Sequence, residues 1–107
     1  MQPIWVLVNC NSDKEAKAIG DKLLKARLGS CYDVFPRKVS RYFWPPKSGK
    51  LESAKGALLV VDTFESRYKA VFKFVKKVHS DKLPFIGYVR IHGVEPAYKD
   101  WMKGELK

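Results

Sequence analysis

Near the start of the chain the sequence reads Ile4-Trp5-Val6-Leu7-Val8, followed by Asn9-Cys10-Asn11 and then by Ser12-Asp13-Lys14-Glu15. Five apolar residues in a row indicate a short strand that is buried on both faces. Ser12 and Glu15 have the spacing of a capping box, in which the serine side chain accepts a hydrogen bond from the backbone amide of the glutamate. This segment therefore predicts a β-strand that leads directly into a helix.

The first helix continues after the capping box, because apolar residues recur there at helical spacing: Ala16, Ile19, Leu23, Leu24 and Leu28. Gly29 follows the last of them and is predicted to end the helix, since glycine adopts the left-handed conformation that helix ends require.

A long β-hairpin is predicted next. Aromatic and β-branched residues dominate from Cys31 to Trp44, and Pro36 within this run predicts a kink or bulge. Pro45–Gly49 has the composition of a turn, and a second strand runs from about Lys50 to Asp62. Two strands joined by so short a loop are expected to pair as antiparallel neighbours.

Three further elements complete the fold. A second helix is predicted from Thr63 or Phe64, a last strand from Leu83 to His92, and a short helix from Glu95-Pro96. The order β-α-β-β-α-β with an additional C-terminal helix predicts an α+β, ferredoxin-like fold. We expect residues 1–107 to form a single domain.

The predicted sheet has one face that its own two helices leave uncovered. The first and third strands are nevertheless aliphatic on both faces, as in Ala57–Val61. Burying one Leu or Val side chain contributes about 1.5–3 kcal/mol, so these residues favour a covering layer. A second copy of the same chain is the simplest candidate, and self-association is therefore expected.

Composition limits the classes of protein to consider. The 107 residues carry a formal net charge of +10 and two cysteines, too few for a disulfide framework. The apolar stretches are too short to cross a membrane, and Met1-Gln2-Pro3 does not resemble a secretory signal, so a cytoplasmic location is expected. Five basic residues and no acid lie in Val34–Leu51, and the same holds for Ser66–Ser80; such patches attract anions or serve solubility.

The charge and the order of elements also fit an RNA-recognition module, which is the alternative interpretation. Lys55-Gly56 and Val60 are similar to the start of its third-strand signature. The positions that would stack on bases are Ala57, Leu59 and Asp62, none of them aromatic. The sequence shows no nucleophile–base–acid set and no phosphate-binding glycine loop, so it does not predict an enzyme.

Several motifs occur in an order that spans nearly the whole chain. They are Leu28-Gly29-Ser30-Cys31, Val39-Ser40-Arg41-Tyr42-Phe43-Trp44, Gly49-Lys50-Leu51-Glu52, Thr63, His79, Pro84, Tyr98 and Trp101. In these motifs the chain resembles the divalent-cation tolerance (CutA) family of small ferredoxin-like proteins. The resemblance implies a non-enzymatic homotrimer whose long hairpin reaches an adjacent subunit, with a role in tolerance of cations such as copper or in sensing a small or anionic ligand.

The resemblance also suggests two sets of site residues. Tyr42, Trp44, Glu52 and Trp101 would line a cleft between subunits, or alternatively pack at the interface, with Glu52 in an ion pair with Lys50 or Lys55. Cys31 and His79 would bind copper or zinc, meeting across a subunit boundary. The alternatives are that Cys31 is a buried apolar residue and that His79 caps a helix.

The chain also departs from the family at polar positions. Gly56 stands where a glutamate is usual, Asp62 where a lysine is usual, and Asp81 and Phe85 replace the usual tyrosine and glutamate near the fourth strand. Pro45-Pro46-Lys47-Ser48 lengthens the hairpin loop. These differences predict altered chemistry in the cleft.

Overall fold

The computed structural model describes residues 1–107, which form one sheet and three helices. The elements are β1 (Pro3–Cys10), α1 (Asp13–Lys25), β2 (Cys31–Phe43), β3 (Leu51–Phe64), α2 (Tyr68–Val78), β4 (Ile86–Arg90) and α3 (Pro96–Glu105). None of the helices has the length and hydropathy needed to span a membrane.

The sheet has the strand order β2-β3-β1-β4, and all of its neighbouring strands are antiparallel. This arrangement confirms the predicted ferredoxin-like fold with a long β2–β3 hairpin. The register of the hairpin shifts between Arg37 and Ser40. The bulge predicted near Pro36 is therefore confirmed, since an extra residue at that point disturbs the ladder.

Helix α1 begins as predicted but ends earlier. The Glu15 amide donates to Ser12 Oγ at 3.0 Å, which confirms the cap. The helix ends at Lys25, and Arg27 takes the left-handed conformation at φ 58°. The amides of Arg27 and Leu28 donate back to Leu24 and Leu23, the bonding pattern of a Schellman motif.

The prediction that Gly29 ends the helix is therefore wrong. Gly29 is required for a different reason, because a Cβ at this position would lie 2.5 Å from Val61 Cγ1. The loop after α1 thus packs directly against β3.

The boundaries around β3 and β4 also differ from the prediction. β3 continues to Phe64, which pairs with Pro3 of β1, and a 3-10 turn at Glu65–Arg67 precedes α2. The predicted start of α2 near Thr63 or Phe64 is wrong because pairing with β1 extends the strand. β4 is shorter than predicted and covers Ile86–Arg90.

The core lies between the sheet and helices α1 and α2. Its strand residues alternate along β1 and β3 and are fully enclosed, among them Ile4, Val6, Val8, Leu59 and Val61. The opposite face of the sheet, which we call the open face, exposes 45% of Trp5, 53% of Phe35 and 45% of Val89. Helix α3 contacts this face where the Tyr98 hydroxyl donates to Asp62 Oδ2. Large apolar side chains thus remain exposed on the open face of a single chain.

Candidate metal centre

Three chemically different ligand groups converge where β1, α1 and α2 meet. Cys10 Sγ, a carboxylate oxygen of Glu15 and an imidazole nitrogen of His79 all lie within 4.8 Å of one another. Cys10 is 1% exposed and His79 is 8% exposed. We call this group the Cys-Glu-His cluster.

The local fold explains why the cluster forms. Cys10 ends β1, and only Asn11 and Ser12 separate it from α1, so Glu15 in the first turn lies beside the strand end. The segment after α2 is held against them, because the Ser80 amide donates to Glu15 Oε2 at 3.0 Å. The Asn11 side chain reinforces this contact by donating to Ser80 Oγ and to Asp81 Oδ1.

His79 has a defined tautomer. The Asp81 amide donates to its Nδ1 at 2.9 Å, so that nitrogen carries no proton. In the neutral ring the proton is on Nε2, which donates to the Asn9 carbonyl oxygen at 2.7 Å. Nε2 also lies 3.9 Å from Glu15 Oε1. Nε2 therefore faces both the strand end and the carboxylate.

Glu15 is held as a carboxylate by backbone donors. Burial raises the pKa of its carboxyl, but hydrogen bonds from the Asn11 amide and from Ser80 together outweigh that effect. The pKa of Glu15 is consequently below its usual value. The Glu15 carboxyl is therefore already ionised at neutral pH, and it does not have to release a proton when a cation binds.

Cys10 is held as a thiol. Burial, followed by the charge of Glu15, raises the pKa of Cys10 to about 12, and the positive charge of Arg37 offsets this only in part. A thiolate is the form that binds metal ions. Cys10 must therefore release its proton when a cation binds.

The structure separates the two predicted metal ligands within one chain. Cys31 pairs with Asp62 on β3, whereas Cys10 in the cluster pairs with Ala57. Five residues of strand correspond to about 17 Å. Cys31 and His79 therefore do not meet within one subunit, and the predicted site that they would share across a subunit boundary stays a prediction.

Cys31 instead lies in a second polar group with Asp62 and Tyr98. Burial, then the charges of Asp62 and Asp33, raises the pKa of the Cys31 thiol. Burial also raises the pKa of Asp62, although the hydrogen bond from Tyr98 acts against it. Asp62 and Tyr98, but not Cys31, line a small and mainly apolar pocket together with residues such as Trp5 and Met102.

The predicted cleft residues lie near opposite ends of strand β3. Tyr42 and Glu52 are partners near the tip of the hairpin, and Trp44 follows β2. Trp101 packs on Tyr98, with ring centroids 5.3 Å apart, close to Asp62. Glu52 and Asp62 are ten residues apart along β3, which corresponds to about 34 Å. One chain does not bring these residues together, so the shared cleft stays a prediction.

Two members of the cluster are not predicted from the sequence. Cys10 has no ligand role in the predicted sites, and Glu15 is predicted only as part of the capping box. The signal that could have revealed them is a cysteine at a strand end, five residues before a first-turn glutamate. That spacing places both groups at the same end of the sheet.

Ala57 and Leu59 are fully buried against the helices. Three positions of β3 would have to stack on bases in an RNA-recognition module, and these two are therefore not accessible to a nucleic acid.

Comparison with known proteins identifies the family. The model of the CutA1 divalent ion tolerance protein family matches residues 4–105. The chain belongs to the CutA1 family. It is 32% identical over 95 residues to a CutA homolog of Xenopus laevis, covering 89% of this chain and 61% of that protein. It is 29% identical over 97 residues to one of Danio rerio, covering 91% of this chain and 63% of that protein.

Solved CutA1 structures share the whole fold. The structure described as the periplasmic divalent cation tolerance protein CutA from Archaeoglobus fulgidus has a TM-score of 0.92 and 27% identity, with 98% of this chain and 99% of that chain covered. CutA1 from Oryza sativa has a TM-score of 0.93 and 25% identity, with 100% and 95% covered. The chain spans less than two thirds of the length of its Xenopus and Danio relatives.

Proposed function

We propose that this CutA1 protein is non-enzymatic and binds a divalent cation at the Cys-Glu-His cluster. The observation that supports the proposal is the convergence of sulfur, nitrogen and oxygen ligand atoms within 4.8 Å. Thiolate and imidazole ligands favour copper or zinc over magnesium or calcium, which prefer oxygen ligands. The role in divalent-cation tolerance is taken from the names of the relatives.

The ligands fit such an ion after three changes. Cys10 loses its proton, the proton on His79 Nε2 moves to Nδ1, and Nε2 then exchanges the Asn9 carbonyl for the ion. Since a protonated Nδ1 cannot accept a hydrogen bond, the Asp81 amide has to turn away from it, and Nδ1–H becomes free to donate to an outer acceptor of the kind that orients metal-binding imidazoles. Glu15 is already ionised and adds negative charge beside the ion.

We also propose that the protein assembles as a homotrimer through the open face. The exposed fractions of Trp5, Phe35 and Val89 support association, since large apolar side chains are more stable when a partner covers them. Assembly would bring the hairpin residues Tyr42, Trp44 and Glu52 of one subunit toward an adjacent one. A small ligand in the cleft that they would form with Trp101, and a cytoplasmic location, are parts of the same proposal.

Calorimetric titration of the protein with zinc and with copper tests the metal site. We expect saturable binding by the unmodified protein, loss of binding in Cys10→Ser and in His79→Gln, and retention in Cys31→Ser. Equal binding by the unmodified protein and Cys10→Ser would contradict the proposal. Light scattering after size-exclusion chromatography tests the trimer separately, and a monomer at micromolar concentration would exclude it.

A further inference from the structure

Helix α2 presents a row of lysines on the side that faces away from the sheet. Val71 and Val75 are fully buried in the core, which fixes the inner side of the helix. At about 100° per residue, the opposite side of the helix is an arc of about 100° that carries four exposed lysines. They are Lys69, Lys73, Lys76 and Lys77, and we call them the lysine row.

The lysine row has no acidic partner within the chain. None of the four ion pairs of the structure includes a lysine of α2, and Ser66–Ser80 contains no acid. The nearest acids along the chain are bound elsewhere, since Glu65 accepts from Arg90 and Asp81 accepts from the Asn11 side chain. Helix α1, by contrast, carries three acids among its four lysines. The charge of α2 therefore favours an anionic partner outside the chain.

Exposed apolar side chains lie beside the lysine row. Phe72 is next to the row on the helix and is 39% exposed. Lys76 Nζ donates to the carbonyl oxygen of Lys82 at 3.1 Å, which holds the segment after α2 close to the row. In that segment Lys82 adds a further exposed positive charge, and Leu83 is 74% exposed. The surface thus combines five lysines with two large apolar side chains.

This surface faces away from the proposed subunit interface. Helix α2 covers the side of the sheet opposite to the open face, and the lysine row is on the outer side of that helix. Association through the open face therefore leaves the row exposed. The row is available to a partner both in a single chain and in the proposed trimer.

We infer that the lysine row docks the protein on an anionic membrane surface. The lysines would contact the charged lipid headgroups, while Phe72 and Leu83 enter the headgroup layer. Basic clusters of this size on a helix are typical of binding to anionic lipids, and shallow apolar insertion strengthens such binding. A nucleic acid would use the lysines alone, whereas a membrane also buries the two apolar side chains. No helix spans a membrane, so this attachment is peripheral and reversible.

Flotation with lipid vesicles tests the inference, with a chelator present so that a metal ion at the Cys-Glu-His cluster does not contribute. The probe is vesicles of phosphatidylcholine containing about one third phosphatidylserine, and the reference is phosphatidylcholine alone. We expect binding to the anionic vesicles only, and a steep decrease as salt rises from about 0.05 to 0.5 M. Lys69→Gln/Lys73→Gln should bind about 20-fold more weakly, since each lysine contributes a factor of about five.

Two further variants serve as controls. Lys22→Gln/Lys25→Gln removes the same charge from exposed positions of α1 and should weaken vesicle binding by less than about twofold. Leu83→Ser leaves the charge unchanged and should weaken vesicle binding several-fold, because it removes the inserted side chain.

Three results would overturn the inference. The first is equal binding to the two kinds of vesicle. The second is an equal loss of binding in the α1 and α2 double variants, because net charge alone would then govern binding. The third is tighter binding to a duplex DNA oligonucleotide than to the anionic vesicles, with no effect of Leu83→Ser, because the row would then be a nucleic-acid surface.

Discussion

His79 Nε2 lies 2.7 Å from the carbonyl oxygen of Asn9, so a single imidazole joins the segment after α2 to the end of β1. The other ring nitrogen accepts from the Asp81 amide at 2.9 Å. The side chain is fully enclosed, and both of its polar atoms are used. His79 is therefore a structural residue in the metal-free protein as well as a proposed ligand.

Replacing His79 should destabilise the protein. His79→Ala leaves the Asn9 carbonyl and the Asp81 amide without their partners, and each unsatisfied buried group costs about 1–3 kcal/mol. We expect the free energy of unfolding, measured by urea denaturation, to fall by about 2–4 kcal/mol. His92→Ala is the matched control at an exposed histidine and should change stability by less than about 0.5 kcal/mol. Similar losses in the two variants would contradict the structural role.

Metal affinity should depend strongly on pH. Because the pKa of Cys10 is raised to about 12, the thiol keeps its proton at neutral pH and must lose it on binding. Zinc affinity should therefore increase about tenfold for each unit of rising pH around neutrality. Glu15 contributes no such dependence there, since its pKa is lowered. Competition with a chelator of known affinity measures the slope, and a pH-independent affinity would exclude thiolate ligation.

The buried carboxyl of Asp62 predicts a second pH effect. Burial raises its folded-state pKa above the ordinary value of 3.8, so the folded protein binds this proton more tightly than the unfolded chain. Its contribution to stability is therefore greatest below pH 3.8 and is lost as pH rises through the raised folded-state pKa.

Asp62→Asn should remove the decrease in stability that accompanies ionisation of Asp62, because asparagine carries no titratable proton. Its amide oxygen can still accept the hydrogen bond from the Tyr98 hydroxyl. We expect the variant to melt a few degrees above the unmodified protein at neutral pH, with the difference shrinking near pH 3.8. Asp100→Asn, at an exposed position of α3, is the control and should not shift the profile. A lower melting temperature for Asp62→Asn at neutral pH would show that the charge itself is stabilising.

The close packing of Gly29 on β3 can be tested with a pair of alanine substitutions. Gly29→Ala places a methyl group 2.5 Å from Val61 Cγ1, and such overpacking costs about 1–3 kcal/mol. Gly104→Ala, in α3, meets no atom within 4 Å and should stabilise the helix by about 0.5–1 kcal/mol. The free energy of unfolding, measured by chemical denaturation, should therefore fall in Gly29→Ala and rise in Gly104→Ala. Stabilisation by Gly29→Ala would show that the loop moves freely away from β3.

Much of the fold could be predicted because its signals are local. The cap at Ser12, the turn after Trp44 and the proline that begins α3 are each set by residues close in sequence. The features that could not be predicted depend on distant partners. Phe64 remains in a strand because it pairs with Pro3, and Gly29 is small because Val61 lies against it.

The candidate site was harder to predict for the same reason. His79 was identified because it resembles a family residue, whereas Cys10 and Glu15 precede it by more than 60 positions. Their spacing places Cys10 and Glu15 near each other, but their proximity to His79 depends on where the end of α2 packs in the fold, which spacing along the chain does not reveal. Cys31 fits the family motif, yet the fold places it beside Asp62 at the other end of β3.

Cobalt(II) absorption spectroscopy tests the metal site most directly, because cobalt substitutes for zinc and reports sulfur ligation through a thiolate charge-transfer band. We expect this band in the unmodified protein and in Cys31→Ser, its absence in Cys10→Ser, and a changed spectrum in His79→Gln. A band that survives in Cys10→Ser but disappears in Cys31→Ser would show that Cys31, and not Cys10, binds the metal ion.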